Sequence, residues 1–425
     1  MTKGNSSWAL LVIVLALGAC ATDPSMMNDD TEHGTSMSMT DQPVDPMIQR
    51  QRDLEAAALG IADEVIWSFK TGEGEQFTRT WARGRWLLAE SYNAQSGEYS
   101  IHCIDINKGR GKWVLVVGEH PLSRAPRIGH GTVAFLTQKD GGMVVVNATT
   151  GGRMFHKRTR VGVVPASDAV SMGDTVYVSN YVSTRMAALA ASDGIKGWDF
   201  RTDGTCRSAP VLTRGLAQQL LVFGTDNGKL YGLPAKGYNE VAPTTAGWTT
   251  DLNGAVSADL TFTMVGEADA MRGLVIVPCE DGWLYGIEPA TGRSRWVLRT
   301  DKAFTENVQV MNGHVFARNA DRFFCLDGVT GSRSWWSPSA EGLSEFEKTQ
   351  LFRAPEGYEH ADRALAANGD RVYLLDGDNK VIRCDAKTGE IKSDRELGDF
   401  DFFISNEATE NLVVATKDGY FIALK

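Results

Sequence analysis

Cysteine is scarce in this chain and nowhere arranged for chemistry. Six occur among 425 residues, none in a Cys-x-x-Cys pair and none beside another. That spacing gives no support to zinc ribbons, thioredoxin-like redox centres or c-type haem attachment. Histidine is also thin, with seven at positions 33, 102, 120, 130, 156, 314 and 360 and no His-Glu-x-x-His arrangement. These are expected at turns or edges, not as metal ligands. No Gly-x-Ser-x-Gly elbow is present, so nucleophilic hydrolysis has no support. The glycine-rich pieces do not sit between a strand and a helix, so phosphate cradling has none either. Basic blocks are missing: 43 Lys and Arg stand against 53 Asp and Glu, a net charge of -10. Such a balance argues against nucleic acid, whose binding depends on neutralising phosphates, and against electrostatic attachment to anionic lipid. Past residue 19 no apolar run approaches the roughly 20 residues that span a bilayer. The reading is of a protein with no catalytic residue, no cofactor site, no metal site and no small-molecule substrate.

What the chain does have begins at its first residues. Lys3 is followed by an apolar run from Trp8 to Leu17, and Leu17-Gly18-Ala19-Cys20 closes the segment. This resembles the bacterial lipoprotein signal, which implies removal of residues 1–19 and acylation of Cys20. Two or more acyl chains suffice for stable anchoring. The residue after Cys20 is Ala21, not the aspartate that retains many Gram-negative lipoproteins in the inner membrane, so the resemblance implies the outer membrane, facing the periplasm. Residues 20–46 hold Ser, Thr, Asp, Pro and Gly without apolar periodicity and read as a flexible tether. As a coil that tether spans roughly 28 Å. His33, Met37 and Met39 within it carry soft donors suited to copper(I), but a polar linker rich in methionine is the simpler reading. Residues 47–60 read as one short helix ending at Gly60.

From about residue 61 onward one unit recurs. A β-rich run, an Asp/Gly/Asn turn, a run ending in an aliphatic residue, a Gly and a run carrying an aromatic follow one another. Aligned on the aliphatic residue, the copies fall at Ile104, Val146, Leu189, Leu233, Ile287, Leu326, Cys384 and Leu424, spaced 42, 43, 44, 54, 39, 58 and 40 residues. That period suits four-stranded propeller blades. The turns KDGG (139–142), TDNG (225–228), CEDG (279–282) and KDGY (417–420) supply the positive φ that tight hairpins need. A second set of turns ends at Gly109, Gly151, Gly194, Gly292, Gly331 and Gly389. Four residues further on stand Trp113, Phe155, Trp198, Trp296 and Trp335, while Ser393 breaks the pattern and Trp248 is delayed by an insertion. These aromatics are expected to pack between neighbouring blades. Cys103, Cys325 and Cys384 fall on equivalent strands of different blades, too far apart to pair. With Cys206 and Cys279 they read as small buried residues.

Segments such as IEPATGRSRW, LDGVTGSRSW and CDAKTGEIKS resemble the PQQ-like β-propeller repeat. The last copy ends without its Gly-x-x-x-Trp strand, and EVIWSFKTGEG (64–74), with Trp67, supplies it. The expected fold is therefore all-β, an eight-bladed propeller over 61–425 closed by its N-terminal strand. Quinoprotein dehydrogenases share such repeats, but they are longer and carry an adjacent Cys-Cys pair that is missing here. A lipoprotein signal, a linker and a propeller of this length are similar to the BamB family of outer-membrane protein assembly factors. The resemblance implies a non-catalytic, lipid-anchored scaffold whose partners are envelope proteins, namely the barrel-inserting subunit and unfolded barrel proteins. That family's Leu-x-Leu-Arg loop is absent: Ser208-Ala209-Pro210 follows RTDGTCR (201–207). Its Asp-x-Asp loop is reduced to Asp251 and Asp259 within DLNGAVSADL (251–260). The partner-binding residues are therefore left open. Two alternatives remain, a binding or sensor propeller with another envelope partner and a quinone-dependent dehydrogenase.

Overall fold

Short apolar runs separated by Asp-Gly and Thr-Gly cannot bury themselves alone, and they do so by pairing as strands. The computed structural model describes residues 45–123, 125–128, 133–137, 142–158, 168–180, 184–256, 258–266, 271–320, 322–336, 361–377 and 379–425. Residues 1–19, Cys20 and the tether to residue 44 lie outside them, with His33, Met37 and Met39. So do His130, His360, the side chains of Phe155 and His156, and most of the 139–142 turn.

Among the described residues the strands form eight four-stranded antiparallel sheets, matching a β-propeller. In the first sheet Gln76–Arg83, Trp86–Asn93, Glu98–Asp105 and Arg110–Gly118 are neighbours in space as in sequence. Six sheets repeat that plan. The eighth takes Phe402–Ile404, Leu412–Ala415 and Tyr420–Leu424 from the end of the chain, and Val65–Lys70 pairs against the last of these, Lys70 opposite Tyr420 and Trp67 opposite Ala423. Each aliphatic residue that aligned the repeat lies in the third strand of its sheet and is buried. Eight apolar clusters fill the spaces between sheets. Each is shared by two consecutive sheets, and one joins Ile404 and Phe421 of the eighth to Phe77 and Leu87 of the first.

One contact repeats across these interfaces. The indole N–H of a fourth-strand tryptophan donates to a carbonyl in the third-to-fourth turn of the next sheet. Trp67 reaches Ile106 (2.9 Å), Trp113 reaches Ala148 (2.8 Å), Trp248 reaches Pro289 (2.7 Å), Trp296 reaches Gly328 (3.1 Å) and Trp335 reaches Ala386 (2.8 Å). Each acceptor stands three residues before the turn glycine, whose φ is positive, 69° at Gly331. A Cβ on Gly331 would lie 2.4 Å from the Trp296 ring, so the glycine is demanded by the indole as well as by the turn. In the fourth sheet the insertion between Lys229–Pro234 and Trp248–Asp251 replaces that turn. Gly237 accepts from Trp198 at 2.8 Å and Lys236 from the Tyr177 hydroxyl at 2.8 Å.

Ser393 now has a physical reason. The sheet that follows it is the eighth, whose fourth strand comes from the opposite end of the domain, so no third-to-fourth turn is there to receive an indole. The segment entering Val65–Lys70 occupies the place. Leu54 and Ala58 of the helix Pro46–Ala58, with Ile61 and Ala62, complete the apolar cluster between the seventh and eighth sheets. The Asp63 N–H donates to the Lys425 carbonyl (2.8 Å), and its carboxylate accepts from Arg371 (2.5 Å) and Arg383 (3.0 Å) of the seventh. These two guanidiniums hold the Asp63 carboxyl below the usual carboxylate range.

Trp335→Ala should cost about 3–5 kcal/mol in denaturant unfolding, whereas Ser393→Ala should stay within about 0.5 kcal/mol. Similar losses at the two positions would show that the indole contacts do not set the inter-sheet interfaces.

Candidate functional site

The first strands of the sheets lie side by side, those of the second to seventh in succession and that of the first against that of the eighth. They surround two adjoining cavities of about 760 and 690 Å3 that share Arg83, Arg127 and Glu407. The larger is lined by hairpin residues such as Arg85 and Trp86, the smaller by inter-sheet loop residues such as Glu306 and Asn307.

Between the cavities runs an ion-pair brace. Arg127, on the first strand of the second sheet, donates to Asp168 of the third at 2.9 Å and to Asp259, which enters the fifth. Burial works against the Arg127 charge, but the two carboxylates outweigh it and hold its pKa above the ordinary value. Asp259 also accepts from the Ala209 N–H (2.8 Å) and the Asn307 side chain (3.1 Å), and its own N–H donates to Asn307 Oδ1 (2.9 Å). Groups from the second, fourth, fifth and sixth sheets thus meet at one carboxylate. Arg318 pairs with Asp362 at 2.9 Å in the smaller cavity.

The loop 201–210 and the loop 251–260, weighed as docking candidates from sequence, are brought together. Asp259 is turned inward and spent on the brace. Asp251 is presented outward, its side chain 86% exposed, 3.8 Å from Lys229. Lys229 pairs with Asp203 at 2.8 Å, and Arg207 with Asp226 at 3.5 Å. The Tyr231 hydroxyl accepts from the Asp203 N–H at 3.0 Å, and the Thr205 N–H donates to Asp226 at 2.8 Å. Asp203, Arg207, Lys229 and Asp251 form a mixed-charge patch on backbone held in place by these bonds.

His102 corrects the expectation that the histidines lie at turns or edges. It is buried within the third strand of the first sheet, 3% exposed. Its Nε2 lies 2.6 Å from Glu75 Oε2 and 3.0 Å from Ser91 Oγ, and Ser91 donates to Glu75 at 2.7 Å. A buried ring with such partners is satisfied, so strand alternation, and not polarity, set its place. The three residue types are those of a hydrolytic triad, but the geometry is not. A relay needs its base to face nucleophile and carboxylate with different nitrogens, and here both meet Nε2 while Nδ1 faces Thr71 at 3.4 Å. Burial pushes the imidazole pKa below its ordinary value in spite of Glu75.

The five domain cysteines are buried, and none of them is in a disulfide. Burial pushes the Cys103 and Cys206 thiols up to about 12, which leaves them without thiolate character at neutral pH. Among the described residues no cluster of three or more His, Cys, Asp or Glu could hold a metal ion, and no helix is long and apolar enough to cross a membrane.

A model of the family described as outer membrane protein assembly factor BamB matches residues 53–237, 160–305 and 280–393. The chain belongs to the BamB family. BamB from Moraxella catarrhalis is 17% identical, with 85% of this chain and 97% of that chain covered at a TM-score of 0.55. The computationally designed Ika8 protein is 14% identical, with 84% and 98% covered and a TM-score of 0.51. A quinohemoprotein alcohol dehydrogenase from Comamonas testosteroni is 11% identical, with 87% and 77% covered and a TM-score of 0.54. At these identities the likenesses concern the fold alone. No curated protein matches the chain by sequence. Within a BamB-family domain, the brace at Asp259 and the patch around Asp251 are distinct features of neighbouring loops. Sequence spacing could not separate them, because the two acids stand in one ten-residue stretch, Asp251 at the end of its strand and Asp259 in the segment that follows.

Asp259→Ala should destabilise the domain by about 2–3 kcal/mol, since it strands buried donors, and Asp251→Ala should be neutral within about 0.5 kcal/mol. Equal effects in urea unfolding would remove the distinction. His102 gives a pH dependence. Its folded pKa lies below the unfolded value near 6.5, so the unfolded chain binds more protons there. Its contribution is therefore full above that value and is lost as pH falls through it. Unfolding at about pH 7 and about pH 5 should show a shallower loss for His102→Gln than for the parent, and an unchanged slope would assign the dependence to other groups.

Proposed function

We propose that the protein is a lipid-anchored, non-catalytic scaffold of the cell envelope that serves outer-membrane barrel assembly in the manner of BamB. The observation that carries this reading is the family match, which extends through the two docking loops and most of the sheets. In this reading the eight sheets are the blades of one closed ring, and Val65–Lys70, the fourth strand of the last, closes it. Pairing of that strand with Tyr420–Leu424 and the Trp67 contact to the first sheet support the closure. Closure gives the last sheet its outer strand, so the edge of Tyr420–Leu424 is not left unpaired, which suits a body that works among unfolded barrel strands. Acylated Cys20 holds the ring at the outer membrane on its periplasmic side, and the tether gives it reach.

The partner is the barrel-inserting subunit, met by the patch of Asp203, Arg207, Lys229 and Asp251. Without the Leu-x-Leu-Arg loop, docking rests on mixed charge and not on leucines. Such contacts govern association rate and salt dependence more than final affinity. Rigid backbone under the patch limits the entropy lost on binding.

Crosslinking in intact cells, followed by purification of the detergent-solubilised protein and mass spectrometry, should recover the barrel-inserting subunit and its companion lipoproteins. The double variant Arg207→Glu, Asp251→Lys should reduce that recovery several-fold while leaving the melting temperature unchanged. Cys20→Ala should release a folded ring from the membrane fraction. Recovery of a different envelope complex would replace the assembly role, and a variant still membrane-bound after a carbonate wash would remove the lipid anchor.

A further inference from the structure

The fourth strand of each sheet carries an edge to which no other strand of that sheet is paired. Such an edge offers its N–H and C=O groups to another strand. Among the described residues the other fourth strands have four or six residues, but Arg110–Gly118 of the first sheet has nine. It also exposes two large apolar side chains, Val114 at 57% and Val116 at 44%, where no other described fourth strand exposes more than one. Trp113, Leu115 and Val117 face the cluster shared with the second sheet, which leaves the two valines on the opposite face. The pairing with Glu98–Asp105 is regular over Trp113–Val116 and shifts register on either side. The Val116 carbonyl accepts from Arg153 of the second sheet at 2.5 Å, so the Val116 backbone points away from its own ladder. Alternation gives Val114 the same direction.

Charge is divided along this strand. Lys108, Arg110 and Lys112 lie towards its start, and Glu98 and Glu119 lie at its other end. Lys112 is 3.9 Å from Asp105, but Arg85 already holds that carboxylate at 2.8 Å. We propose that this edge pairs with the same edge of a second copy of the chain, antiparallel and about a twofold axis at Leu115. Val114 of one copy then stands opposite Val116 of the other. Each such pair exchanges two main-chain hydrogen bonds, and the four valines meet on one face. A second copy is the occupant that the charges fit, because antiparallel pairing sets the basic start of one strand against the acidic end of the other. Arg153 is exposed and swings off the Val116 carbonyl, which accepts instead from the Val114 N–H of the other copy. So short an edge buries less than the roughly 1,200 Å² of a stable interface, so the dimer is weak, with a Kd on the order of 100 μM. This edge belongs to a different sheet from the docking patch, and its pairing does not depend on the assembly role.

Sedimentation equilibrium tests this on the full chain carrying Cys20→Ala, so that neither an acyl chain nor its thiol contributes. Between about 10 and about 500 μM the mass should rise from one chain towards two. Val116→Pro removes an outward N–H and no ladder bond, so it should leave the melting temperature nearly unchanged. It should weaken the dimer by at least about tenfold, because two of the four intermolecular bonds are lost. Lys112→Glu and Glu119→Lys should each weaken it several-fold, and the two together should restore it, since the reversed charges again face each other. A chain that stays monomeric throughout, full association in Val116→Pro, or no recovery in the double variant would each overturn the proposal. Monomer throughout, with crosslinks from this strand to a different protein, would give the edge another occupant and likewise overturn self-pairing. If Val116→Pro fails to fold, the charge exchange decides.

Discussion

A tryptophan N–H held by the carbonyl three residues ahead of a glycine is the constraint on which this architecture rests. A four-stranded sheet of this size cannot bury both faces by itself, and its outer strand would be held only by its ladder to the third. The indole ties that outer strand to the following sheet. It covers the turn glycine, satisfies a carbonyl, and fixes the angle at which one sheet meets the next. Trp113, Trp296 and Trp335 do this within the plain repeat. Trp198 does it against an insertion, and Trp67 does it from the far end of the sequence. The glycines are the other half of the contact, because any side chain at Gly331 or Gly389 would collide with the ring that docks there.

Where this contact has no receptor, the protein substitutes another. Between the seventh and eighth sheets the helix Pro46–Ala58 and the residues after it supply apolar cover, and Asp63 ties two arginines to the strand end. The pairs at Asp63 are partly exposed, and such pairs contribute little alone. The greater part of that interface therefore rests on Leu54, Ala58, Ile61 and Ala62. The segment that leads into the first paired strand is thus also structural, covering the interface without an indole.

Function divides along a similar line. Inward-facing groups are committed to one another at the Arg127–Asp259 brace, which gathers several sheets at one point and supports the loops above it. Those loops then offer charge outward. That separation lets surface side chains vary while the brace keeps their backbone in place, which is what the proposed docking role would need.

Local rules were enough for much of this. Alternating apolar runs, Asp-Gly and Thr-Gly turns, and an aromatic at fixed distance from each glycine are properties of neighbours in sequence, so the repeat, its strands and the use of Trp67 as a missing member could be read directly. The cysteines, too, were legible as buried fillers. What sequence could not reveal depends on residues far apart. His102 was placed at a turn or edge because polarity is visible in sequence, while its partners come from elsewhere, Glu75 from the turn before the first strand of its sheet and Ser91 from the second strand. Asp251 and Asp259 look alike eight residues apart, yet one is exposed and the other is met by Arg127, 132 positions away. Ser393 was only an exception until the eighth sheet proved to lack the turn an indole would need. Periodicity sets which face of a strand is buried, and only tertiary structure decides which distant groups share the space behind it.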